Sequence, residues 1–194
     1  MNMIRHTVLF LAAVGLLAAC ASRPDDPVRT YDFGLGPAAQ PVQLSVHVSE
    51  VESPEWLDRP EMLYRLAYRD PRALEPYSLS RWAGTPASML TLRLRQALGN
   101  VGVRSADCVL AVDLEEFSQV FDTERSSRVV LHLHAGLRQS AEGRKTQSKT
   151  LRLERPAPSP NAAGGAAAFS ELADELTAQL RDWVVQSAYC GNRP

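Results

Sequence analysis

Long apolar runs are missing from this 194-residue chain, and so is any excess of charge of one sign. The one sustained hydrophobic stretch, Thr7 to Leu17, has eleven residues. A helix needs about 20 to span a bilayer, so the stretch does not read as a membrane span. Lys and Arg number 21 against 22 Asp and Glu, which leaves no general electrostatic pull toward nucleic acid. Lysine is nearly absent, with only Lys145 and Lys149, so there is no polybasic block. Catalytic signatures are lacking too: there is no Gly-x-Ser-x-Gly elbow, no Walker A loop and no His-Glu-x-x-His. Cysteine occurs three times.

One of those cysteines carries the clearest signal. Arg5 and His6 precede the apolar stretch, and Leu17-Ala18-Ala19-Cys20 closes it. A polar start, a short apolar region and small residues before a cysteine make a bacterial lipoprotein signal. An ordinary secretory signal with a chance cysteine is the alternative. Cleavage would leave Cys20 first, acylated on its sulfur and its amine, and several chains anchor stably where one does not. Ala21 and Ser22 follow, rather than the Asp that retains lipoproteins in the inner membrane. The expected location is therefore the periplasmic face of the outer membrane. Residues 1–19 form the signal, 20–30 a lipidated tether with Pro24 and Pro27, and 31–190 one domain.

Cys108 and Cys190 remain. In an oxidising compartment an even pair reads as a disulfide, with free buried thiols or a metal pair as alternatives. Such a bond would tie the start of a central strand to the tail after the last helix.

Hydrophobic periodicity gives five strands and two helices. Pro41 to Val51 alternates, with Val42, Leu44, Val46 and Val48 on one face. Met62 to Tyr68, Cys108 to Phe117, Arg128 to Arg138 and Lys145 to Leu153 follow as strands, joined by polar connections at 119–127 and 139–144. Thr85 caps and Pro86 starts a helix carrying Leu90, Leu94 and Leu98, and Gly99 stops it. Residues 155–165, rich in Pro, Ala and Gly, read as a mobile linker before a helix from Ala166 to Ala188. The predicted fold is α+β: a mixed, mainly antiparallel sheet of about five strands, with two helices on one face.

Candidate chemistry is thin. His132 and His134 share a strand face, and His47 could join them if the strands pair, yet no carboxylate or Cys sits at ligand spacing, so no metal site is assigned. Trp56, Tyr77 and Trp82 fall in polar or loop contexts, where aromatics either contact partners or pin loops to the core.

The segment Glu55-Trp56-Leu57-Asp58-Arg59-Pro60-Glu61-Met62 after Val46-His47-Val48, with Tyr31, Ser80-Arg81-Trp82-Ala83 and Asp113-Leu114-Glu115-Glu116-Phe117, resembles the ABC-type transport auxiliary lipoproteins. The resemblance runs from about Tyr31 to Ala188. It implies a non-enzymatic accessory without cofactors, held on the outer membrane by its acyl chains. Its partner would be the MCE-domain periplasmic conduit of an ABC-type lipid transport system. On that reading the loops at 53–60 and 68–82 offer the partner surface, through Trp56, Leu57, Asp58, Arg59, Tyr77 and Trp82. Asp58 and Arg59 would pair within their loop or meet the partner. Two alternatives stand: an accessory of another outer-membrane assembly machine, like the plug of the lipopolysaccharide export pore, and a metal-dependent periplasmic enzyme. A ring-shaped conduit could recruit several copies, which leaves a homo-oligomer open.

Overall fold

A computed structural model describes residues 27–36, 44, 46–98, 108–139 and 146–187. Its strands are β1 (Arg29–Tyr31), β2 (Val46–Val48), β3 (Glu61–Leu66), β4 (Glu75–Trp82), β5 (Cys108–Thr123), β6 (Ser126–Gln139) and β7 (Thr146–Pro156). Its helices are α1 (Pro86–Ala97) and α2 (Ala162–Gln186). The strands form one sheet in the order β1-β4-β3-β5-β6-β7, and β2 also pairs with β5. The β3–β4, β5–β6 and β6–β7 pairings are antiparallel, while β1–β4, β2–β5 and β3–β5 are parallel. The α+β architecture is the predicted one, with two more strands than expected.

The long central strand organises the rest. Cys108, Leu110, Val112 and Leu114 are buried at alternate positions of β5, as strand alternation requires. A bulge between Leu114 and Glu116 then shifts the phase and turns Phe117 inward. Phe117 stacks on Phe169 of α2, ring centroids 3.9 Å apart. Trp82 meets both rings edge-on, at 5.7 and 5.6 Å. Val129, Leu131, Leu133, Ala135 and Leu137 extend this surface along β6, and Leu90, Leu94, Leu172, Leu176, Leu180 and Val184 cover it from the helices in one continuous core.

Several boundaries differ from the sequence reading. β1 takes in Arg29 and Thr30, which were assigned to the tether. β4 occupies part of the expected 68–82 loop; only Ser80 and Trp82 of its eight residues are buried, so it carries no alternating pattern to read. The predicted connection at 119–127 shrinks to a turn at Glu124 and Arg125, because polar Gln119 is a core residue whose amide is fully used. The linker assigned to 155–165 is also shorter. β7 runs to Pro156, and α2 starts at Ala162, capped by Asn161, whose Oδ1 accepts from Gly164 N at 2.9 Å. Of the strand predicted at Pro41–Val51, β2 is the part seen; 41–43 and 45 lie outside the described residues, as does Gly99.

Candidate functional site

Beyond β2 the chain stays against β5. Ser49 N donates to Leu110 O, Glu52 N to Val112 O, and Leu114 N to Glu52 O, at 2.8–2.9 Å. This path carries Glu50 and Glu52 along the side of α1. Thr91 of α1 ties the two together: its hydroxyl donates to Ala87 O at 2.8 Å and accepts from Val51 N at 2.9 Å. Both contacts are buried.

A tight turn follows. Leu57 N and Asp58 N both donate to Pro54 O, at 2.8 and 3.1 Å. The turn drives Leu57 into the core, where it is 0% exposed, and leaves Trp56 beside it 40% exposed.

Between this loop and α1 runs an open groove of about 600 Å³. Glu50, Glu52 and Asp58 face Arg95 across it, with Ser53, Thr85, Ser88 and Leu92 among the other lining residues. Three carboxylates against one guanidinium make the groove acidic, and Arg95 is already committed through Nε to Val48 O at 3.2 Å. An open shape, an acidic bias and an exposed indole on the same loop suit a protein segment rather than an enclosed small substrate.

The residues expected at a partner surface divide. Trp56, Asp58 and Arg59 are exposed together on the loop. Arg59 pairs with Glu61, Nε to Oε2 at 3.0 Å, and not with Asp58. That hydrogen bond holds the Glu61 carboxyl below its ordinary range. Leu57 and Trp82 present no surface, since both are sealed in the core. Trp82 N donates to Pro60 O at 2.7 Å, so the Arg-Trp segment braces the loop from below. Tyr77 is partly buried; its hydroxyl donates to Gln119 Oε1 at 3.0 Å, and burial pushes its pKa up. Cys108 is fully buried, and Cys20 and Cys190 lie outside the described residues. Glu50, Glu52, Thr91 and Arg95 escaped the sequence reading; an acidic pair flanking Val51, opposite a polar helix face, was the available signal.

The histidines do not converge. His134 Nδ1 lies 3.3 Å from Thr150 Oγ1, and His132 Nε2 accepts from Arg152 Nε at 3.1 Å. His47 stands opposite Val109, four residues along β5 from Asp113, the partner of His134. That is about 13 Å of strand. Burial, then the Arg152 charge, lowers the His132 pKa. Among the described residues no three His, Cys, Asp or Glu side chains gather at metal-binding spacing.

Fold and groove together define a small α+β domain with an open acidic groove beside the 53–60 loop. The model of the family described as ABC-type transport auxiliary lipoprotein component matches residues 35–181, and the chain belongs to that family. Two crystal structures share its fold. One is the Xanthomonas campestris protein XCC0632, 23% identical, with a TM-score of 0.64 over 84% of this chain and 89% of that one. The other is an uncharacterized protein, 16% identical, with a TM-score of 0.64 over 81% and 99%. No curated protein matches the chain in sequence.

Proposed function

We propose that this protein is a non-catalytic accessory of an ABC/MCE-type lipid transport system, acylated on Cys20, anchored in the outer membrane, and docked to the MCE-domain conduit through the Trp56 loop. The observation that carries this reading is the groove beside that loop. The loop that supplies Ser53 and Asp58 to the groove holds the Trp56 indole partly exposed while the neighbouring Leu57 anchors the backbone from inside. A preorganised loop loses little entropy on binding, and exposed tryptophans commonly dominate interface energy.

Co-purification with the MCE partner tests it. Replacing Trp56 and Arg59 together with Ala is expected to cut recovery by roughly tenfold or more, the scale of a lost hot spot. Unchanged recovery would remove the loop from the interface. The anchor has its own check, since labelled palmitate should enter the wild type and not Cys20→Ser. We also propose a Cys108–Cys190 disulfide; under denaturing conditions, thiol alkylation should modify both cysteines only after reduction.

A further inference from the structure

A second exposed patch lies where the tether meets the domain. Pro27, Arg29, Tyr31 and Leu79 border one shallow groove. Val28 is 51% exposed and Leu79 46% exposed. The parallel register sets Arg29 against Ser80 and Thr30 against Arg81, which brings two arginines to the same edge. Arg29 and Arg81 are both exposed, and Arg81 Nε reaches Thr30 Oγ1 at 3.5 Å. The nearest acid across the strands, Glu61 opposite Arg81, is held by Arg59. By strand alternation Val28, Leu79 and Arg81 share one face of this edge and Arg29 lies on the other, so the exposed aliphatic pair has one guanidinium beside it.

We propose that this β1–β4 edge rests on the bilayer, with Val28 and Leu79 entering the interface and Arg81 on the same face meeting anionic headgroups. The proposal rests on the Cys20 anchor put forward above. Seven residues, Cys20 to Asp26, separate the acylated cysteine from Pro27. Fully extended they reach about 25 Å, so the patch is never far from the membrane surface. A patch this small would not hold a free protein on a membrane. Tethered, it experiences a high effective lipid concentration and need only orient the domain. A guanidinium beside an exposed aliphatic pair suits such an interfacial contact. The direction of β1 fits, because from Pro27 it leads away toward Ala83, whose N–H bonds Tyr31 O, and on to Thr85 at the wall of the acidic groove. With the tether end on the bilayer, the docking loop faces into the periplasm.

The test uses the full acylated chain in vesicles of phosphatidylethanolamine and phosphatidylglycerol. An environment-sensitive fluorescent amino acid replaces Leu79 in one variant and Leu92 in another; Leu92 is a comparably exposed leucine at 59% on α1. Reconstitution should shift the emission at 79 to the blue and make it quenchable by brominated acyl chains, while the emission at 92 stays aqueous. A chain that floats with the vesicles but keeps an aqueous signal at 79 would overturn the proposal and leave the anchor standing. A wild-type chain that fails to float would refute the anchor, and the proposal with it. A blue shift that appears in detergent and follows protein concentration would assign the patch to a second copy and overturn the lipid assignment.

Discussion

Gln119 shows how a single polar side chain can be both core and clamp. It is 1% exposed, yet every polar atom is used: Nε2 donates to Ser127 Oγ at 2.8 Å and to Asn161 O at 3.2 Å, and Oε1 accepts from Tyr77. It thus joins β4, β5, β6 and the cap of α2. Tyr77→Phe keeps the ring contact with Tyr64, at 4.7 Å between centroids, and strands Oε1. The expected loss is about 1–3 kcal/mol, the cost of an unpaired buried acceptor, read from the urea midpoint. A loss below about 0.5 kcal/mol would mean that solvent replaces the hydroxyl. His132 offers a pH-dependent counterpart. Its folded pKa lies below the ordinary 6.5, so below that value the unfolded chain binds the proton that the fold resists. Stability contributed by neutral His132 is present above pH 6.5 and drains away as pH falls toward the lowered folded value. Thermal melts from neutral pH to about pH 5 should therefore fall more steeply for wild type than for His132→Gln. Parallel slopes would count against it.

At the scale of elements, the start of α2 sets two opposing effects against each other. Gly164 and Gly165 sit in the first helical turn, and both are buried. Helix propensity alone predicts that Gly→Ala gains about 1 kcal/mol at each. A Cβ on Gly164, however, would collide with the backbone carbonyl and amide of Ser159, which cannot swing aside. Overpacking costs about 1–3 kcal/mol, so Gly164→Ala should be destabilising, and a raised melting temperature would show that the turn at Ser159 yields. The same glycines explain why the sequence suggested a linker here. Their composition matches flexible chain, and only the close approach of Ser159 and Gln119 reveals them as contact positions. β5 and β6 were legible because one face is buried along nearly their whole length. β4 was not, because its neighbours β1 and β3 hold it by backbone pairing while most of its side chains face water. The acidic residues of α2 are used for tertiary pairing: Glu171 and Glu175 grip Arg155 at 3.0 and 2.8 Å, and Asp174 meets Arg93 at 3.3 Å.

Across the whole molecule an exposed and a buried residue sit side by side on the 53–60 loop, and this makes function and stability separable. Leu57 is completely buried while its neighbour Trp56 stands in solvent at 40% exposure. Leu57→Ala leaves a cavity beneath the turn and should cost about 2–5 kcal/mol. Trp56→Ala removes a side chain that is 40% exposed and leaves no closed cavity, so it should cost clearly less than Leu57→Ala. If the loop is the docking element, the order reverses for partner recovery at low temperature. Trp56→Ala then loses capture although fully folded, whereas Leu57→Ala keeps whatever capture its folded fraction allows, because the indole and Asp58 are still present. Chemical denaturation and co-purification on the same three proteins decide the matter. Equal loss of stability in both variants would make Trp56 a structural anchor, and its exposure would then no longer argue that the loop binds the conduit.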